Sequence, residues 1–250
     1  MQFKEFGENH LPTIILLHGG GLSWWSLTGI IDELQTRYHV VAPIIDGHGV
    51  DGATSFVSIE DSAEKLIRYI DEACQGRVFA LGGLSLGAQI VTEVLARRAD
   101  IAEYAILESA LVIPIKGIAS LTAASYQLFY GLVKKKWFSK LQAKSLFVPE
   151  KMFELYYRDS MNISKQSLIH VTVSNGSYGI KDTLKKSKAN VLIIVGEKEL
   201  GIMKKSAKLL NDTLPCSRLY IAEHMGHGEC SLAYSKTYLK KVEELFAARA

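Results

Sequence analysis

Short apolar runs alternate along the chain with longer stretches in which apolar residues recur every three or four positions. The run 13–17, Thr-Ile-Ile-Leu-Leu, stops at His18-Gly19-Gly20-Gly21. So short and continuous a run predicts a strand buried on both faces and ending in a tight loop. The same pattern predicts strands at 39–45, 77–81, 104–107, 191–195 and 218–221. Helical spacing predicts helices at 25–38, at 86–98 and from about 231 to 248. Ser58-x-x-Asp61 is a capping signature that opens a further helix through Cys74. Residues 1–6 fit an antiparallel edge strand. Alternation of this kind builds an α/β fold, a mostly parallel sheet flanked by helices.

The rhythm changes after Pro114. Residues 115–185 hold no convincing buried strand and are rich in aromatics, Tyr126, Phe129, Trp137, Phe153 and Tyr156 among them. They predict helices inserted into the α/β pattern. The expected organisation is one domain over 1–250, with its core from 1–114 and 186–250 and a helical cap over about 115–185.

The candidate chemistry lies at the ends of the predicted strands. Gly83-Leu84-Ser85-Leu86-Gly87 stands between a strand and a helix, the context that makes G-x-S-x-G informative. A turn that sharp strains the nucleophile's backbone and needs small neighbours. The helix that follows points free N–H groups at the serine, where they can hold a negative oxygen. A serine needs a base to take its proton. Of seven histidines, His227 in Gly226-His227-Gly228 follows a late strand and precedes the last helix, with His224 its near rival. The base needs a carboxylate to fix its tautomer. Glu199, in Gly196-Glu197-Lys198-Glu199 after the strand 191–195, is the first candidate; Glu108 and Glu197 are the alternatives. The backbone N–H groups of Gly20 and Leu86 are the expected oxyanion hole. His18 reads as a structural histidine.

Composition narrows the class. The chain has 250 residues, 48% hydrophobic and 22% charged, with net charge +3, so neither disorder nor a nucleic-acid partner is indicated. Three scattered cysteines form neither a disulfide framework nor a zinc motif. With no leader-like or transmembrane apolar run, a cytoplasmic setting is expected, and no metal or cofactor is called for.

With these pieces in place, the sequence resembles the α/β-hydrolase superfamily over nearly its whole length. The matching motifs are His18-Gly19-Gly20-Gly21, Asp46-Gly47-His48-Gly49, Gly83-Leu84-Ser85-Leu86-Gly87, Gly196-Glu197-Lys198-Glu199 and Gly226-His227-Gly228. It looks like the small bacterial esterase-like or lipase-like branch with a helical cap. The resemblance implies Ser85 as nucleophile, His227 as base and position 199 as the acid, with Asp46 and His48 on a loop that shapes the fold near the site. That branch usually carries Asp where Glu199 stands, and some relatives place the acid where Glu108 falls.

The expected function is therefore hydrolysis of a carboxylic ester of a small, apolar molecule, with the cap choosing the substrate. The same residues also suit a thioesterase, a C–C bond hydrolase or a monoacylglycerol lipase. In another class, they suit a ligand-binding sensor with slow turnover. The segment 117–133 followed by Lys134-Lys135-Lys136 would suit a lid that touches lipid, but an ordinary cap helix is the simpler reading. Pattern alone does not give the oligomeric state.

Overall fold

The computed structural model describes residues 1–118, 122, 125 and 130–248. Seven strands form one sheet: β1 (Gln2–Phe6), β2 (Thr13–Leu17), β3 (His39–Ile44), β4 (Val78–Leu84), β5 (Ala102–Glu108), β6 (Asn190–Gly196) and β7 (Ser217–Ala222). Their order is β1-β3-β2-β4-β5-β6-β7, parallel throughout except for the antiparallel β1–β3 pair.

The order runs outward from β2 to β3 and then returns to β4 on the other side of β2. Such a reversal leaves a crevice at the carboxyl ends of the two central strands, where open α/β sheets bind ligands. Here that crevice receives the loop after Leu17 and the turn after Leu84.

Alternate side chains of each central strand serve opposite faces. Ile15, Leu17, Val41 and Leu81 join one core with helices α2 (Ile59–Ala73) and α3 (Leu86–Arg97). Ile14, Leu16, Val40 and Ala80 join the other, under α1 (Thr28–Leu34) and, after the cap, α9 (Ser235–Ala247). Covering both faces is why these strands read as continuous apolar runs. Helix α2 shows the one-sided pattern of a surface helix: Ile59, Ala63, Leu66 and Ile70 are fully buried. Its Ser58 cap accepts the Asp61 N–H at 3.1 Å, as the capping signature predicts.

Most element boundaries fall within two residues of the expected ones; three elements differ more. The helix predicted over 25–38 is a 3-10 turn, Trp24–Leu27, followed by the short α1. There the Thr28 hydroxyl donates to the Trp25 carbonyl at 2.9 Å and the Ser26 hydroxyl to the Ser23 carbonyl at 2.7 Å, local bonds that compete with helix. Strand β4 runs on to Leu84, through two glycines that weaken a strand pattern. The last helix breaks at Tyr234 into α8 (Glu229–Ala233) and α9.

The insertion between β5 and β6 carries α4 (Lys136–Ser145), α5 (Phe153–Asn162) and α6 (Lys165–Ser177), and α7 (Gly201–Thr213) follows β6. Much of the segment 117–133, with Tyr126 and Phe129, lies outside the described residues. No helix among the described residues is long and apolar enough to cross a membrane.

Both roots of the insertion are clipped to α3. Gln89 donates to the carbonyls of Leu111 at 2.6 Å and Asn175 at 2.8 Å, and accepts from the Asn175 amide at 2.8 Å. One turn on, the fully buried Glu93 accepts from Lys181, Arg97 and Tyr178. A buried carboxylate with three donors avoids the cost of an unpaired charge.

The one-sidedness of α2 is testable by urea denaturation. Leu66→Ala is expected to lower the unfolding free energy by about 2–5 kcal/mol, through lost burial and a residual cavity. Arg68→Ala, on the exposed face, should change it by no more than about 0.5 kcal/mol.

Candidate active site

One residue, Ser85, separates β4 from α3. Its backbone sits at φ 53° and ψ −111°, a left-handed conformation that costs a side-chain-bearing residue on the order of 1–3 kcal/mol. The bend is held from both sides. The Ser85 N–H donates to the Glu108 carbonyl at 2.8 Å, and the Ser85 carbonyl accepts the Gln89 N–H at 3.0 Å.

The flanking glycines are required by contact. A Cβ on Gly83 would stand 2.4 Å from the Gly87 carbonyl carbon, and one on Gly87 would stand 2.6 Å from the Leu17 carbonyl oxygen. Strand β4, helix α3 and the end of β2 thus meet backbone to backbone, and the serine side chain stands over the crevice.

His227 comes from the loop between β7 and α8. Its Nε2 lies 3.0 Å from Ser85 Oγ, and its Nδ1 lies 2.8 Å from Glu199 Oε2. With Nδ1–H donated to the carboxylate, Nε2 is left as acceptor for the serine hydroxyl, a tautomer assigned from this pairing. Its neighbours hold the loop: the Gly226 N–H donates to Glu229 at 2.6 Å, and Gly228 takes φ 71°.

Glu199 sits in the turn after β6 with its carboxyl fully buried. Its Oε1 accepts the Gly196 N–H at 2.8 Å and the Ser109 hydroxyl at 2.7 Å. Burial pushes its pKa up. The His227 hydrogen bond and charge, with the Gly196 and Ser109 donors, outweigh that and hold it below the ordinary glutamate value. The turn folds Glu199 back on Gly196, its N–H donating to the Gly196 carbonyl at 3.1 Å, so the longer glutamate still reaches the histidine.

Ser109 is the residue that sequence reasoning missed. It follows β5 at φ 55°, donates to Glu199 and accepts the Gly228 N–H at 3.2 Å, linking the acid to the histidine loop. Its only signal in the sequence was its place just after a strand end.

The rival residues stand elsewhere. Glu197 is at the surface and accepts the His224 N–H at 2.7 Å, with the His224 ring 3.4 Å away, so the two alternatives pair with each other. His18 is fully buried: its Nδ1 donates to the Gly19 carbonyl at 2.9 Å and its Nε2 accepts the Ile45 N–H at 3.1 Å. Burial and the nearby His48 ring lower its pKa to about 3, so it is a neutral bracket between the glycine loop and β3.

Glu108 is buried behind the serine. Its Oε1 accepts the Ser231 N–H at 3.2 Å rather than binding His227. Its Oε2 has no partner among the described residues. Burial pushes its pKa up to about 7, against the Ser231 donors.

The glycine loop closes the other side. A Cβ on Gly20 would lie 3.9 Å from Leu86 Cβ, so this loop and the first turn of α3 abut beside Ser85. The first N–H groups of a helix have no intrahelical acceptor, and Leu86 opens α3. Gly20 and Ser85 line a cleft of about 350 Å³ whose far walls come from the cap. Among the described residues, no group of three or more His, Cys, Asp or Glu is placed to hold a metal ion.

The buried Glu108 gives a pH prediction. Its carboxyl binds a proton more tightly folded than unfolded, so stability falls as pH rises from about 4.5 to about 7. Glu108→Gln removes that group. Its melting temperature relative to the native chain should therefore be higher at pH 8 than at pH 5, as differential scanning calorimetry would show.

Comparison with known proteins accords with this fold. Residues 14–198 match the model of the alpha/beta hydrolase family. The chain is 24% identical over 238 residues to the uncharacterized hydrolase YugF of Bacillus subtilis (strain 168), covering 90% of this chain and 86% of YugF. A carboxylesterase structure from Nitrososphaera gargenis superposes with TM-score 0.81 at 16% identity, over 98% of this chain and 93% of that one. The enol-lactonase from Burkholderia xenovorans LB400 does so with TM-score 0.79 at 16% identity, over 98% and 96%. The match spans most of the chain, from β2 to Lys198 just after β6, and the chain belongs to the alpha/beta hydrolase family.

Proposed function

We propose that the chain is a serine hydrolase that cleaves a carboxylic ester of a small molecule through an acyl-enzyme on Ser85. The observation that carries the reading is the unbroken pair of hydrogen bonds from Ser85 Oγ to His227 at 3.0 Å and from His227 to Glu199 at 2.8 Å.

His227 Nε2 takes the hydroxyl proton as Ser85 Oγ attacks the ester carbonyl. Glu199 stays ionised and stabilises the imidazolium, which its low pKa and three donors favour. The oxyanion rests on the N–H groups of Gly20 and Leu86, the second at the positive end of α3. His227 returns the proton to the leaving alcohol, then activates the water that frees the acid. The solved relatives are named carboxylesterase and enol-lactonase, and a lactone is itself an ester. Leu22, Leu146, Tyr156, Leu168 and Val171 give the cleft an apolar wall suited to an alkyl or aryl group.

The test is labelling with a fluorophosphonate probe, followed by hydrolysis of p-nitrophenyl esters of rising chain length. The native chain should label and hydrolyse, and Ser85→Ala should do neither. Glu199→Gln should lower kcat by about 10³- to 10⁴-fold, since a wrong tautomer disables the base. Glu108→Gln should still label. Absence of labelling and of any hydrolysis by the native chain, or labelling that persists in Ser85→Ala, would overturn the reading.

A further inference from the structure

The cleft beside Ser85 has a buried polar corner. It is formed by His48, on the loop after β3, and Asp159, on cap helix α5. Both line the cleft, and both are more than nine-tenths buried, at 2% and 7% exposure.

Their hydrogen bonding is incomplete in the same sense. His48 Nδ1 lies 3.0 Å from the Asp46 carbonyl, so it carries the proton and Nε2 presents a lone pair. That Nε2 is buried and has no partner among the described residues. Burial also holds the ring's pKa below the ordinary histidine value, despite the pull of the Asp46 carbonyl and of Asp159, so the ring stays neutral.

Asp159 Oδ2 accepts the Trp25 indole N–H at 2.8 Å. Its Oδ1 faces the guanidinium of its neighbour Arg158 at 3.3 and 3.4 Å, both long for a charge-assisted bond. A carboxylate has about four lone-pair positions, so acceptor capacity remains. No Lys or Arg among the described residues lines the cleft.

A neutral imidazole nitrogen and a carboxylate in one buried corner both call for a donor, and a buried acceptor left unpaired is unfavourable. We propose that this corner recognises a hydrogen-bond-donating group of the substrate, a hydroxyl or a protonated amine, and disfavours substrates with a free carboxylate. It rests on the reading of the cleft as the substrate site of a Ser85 hydrolase and narrows its substrate class. The apolar wall takes the connecting carbon chain, and the corner sets its polar end.

The test compares kcat/KM for butyl acetate, 4-hydroxybutyl acetate, 4-(dimethylamino)butyl acetate (protonated at neutral pH) and 4-acetoxybutanoate. Methyl pentanoate and methyl 5-hydroxypentanoate place the polar group on the acyl side instead. At least one donor-bearing ester should exceed its plain counterpart by about ten-fold, the size of one well-placed hydrogen bond to a charged group, and 4-acetoxybutanoate should fall below butyl acetate. The winning arm tells hydroxyl from ammonium.

In Asp159→Asn, which still accepts from Trp25, an ammonium advantage should vanish. In His48→Phe, which removes the acceptor nitrogen, a hydroxyl advantage should fall. Equal kcat/KM across the neutral and donor esters in both series, or an advantage that survives both variants, would overturn the proposal. Ligand-observed NMR of butane-1,4-diol and butan-1-ol with Ser85→Ala protein needs no turnover. Preferential binding of the diol supports the corner, and equal binding rejects it. Failure of all ester hydrolysis by the native chain would sink the Ser85 reading instead.

Discussion

The site depends on one close approach: the turn at Ser85 is wedged between the ends of β2 and β4 with no room for side chains at positions 83 and 87. The positive φ at Ser85 would relax if the turn were free. It persists because β4 is paired on both sides, α3 is buried along nearly its whole length, and the Glu108 carbonyl holds the Ser85 N–H. A second close backbone approach lies at the turn that carries Glu199. A Cβ on Gly196 would lie 2.4 Å from the Met225 carbonyl oxygen, which sets the acid turn directly against the histidine loop.

Two glutamates near the same histidine show how environment divides roles. Glu199 is buried but surrounded by donors, so its ionised form is favoured. Glu108 is buried with donors from Ser231 alone, too few to offset its burial, so its neutral form is favoured to about pH 7. Residue type does not separate them; the number of N–H and O–H groups turned toward each carboxyl does. Such a split in titration is the usual mark of a carboxylate suited to hold a cation and one that is not.

Much of this was legible in the chain. The β2 run matched its strand end to end, because a strand covered on both faces leaves an unbroken apolar signature. Ser85, His227 and Glu199 could be named because each follows a strand in a glycine-marked loop, and Gly83, Gly87 and Gly196 leave no room for a side chain. The choice of Glu199 over Glu108 was less legible, since it turns on the donors Ser109 and Gly196, which pattern does not reveal. The helix over 25–38 was overextended because apolar spacing is blind to hydroxyls such as those of Ser26 and Thr28, which bond their own backbone. The polar corner of the cleft was likewise hidden. His48 and Asp159 are 111 positions apart, and Asp159 lies in a cap helix whose aromatics dominate the pattern.

The clips from Gln89 and Glu93 to the roots of the insertion bear on modularity. Both residues lie on the helix that opens at Ser85, and they grip the chain where it leaves and re-enters the sheet, at Leu111 and at Asn175 to Lys181. The insertion is no free-standing module: between those roots, Trp25 bonds Asp159, and the Phe56 and Ile59 N–H groups bond Ser167 and Ser174. Val171 of α6 would meet a Cβ on Gly20 at 3.5 Å, so the inserted helices also pack on the glycine loop beside Ser85. A change within the inserted helices would therefore be felt at that loop as well as in the cleft they wall.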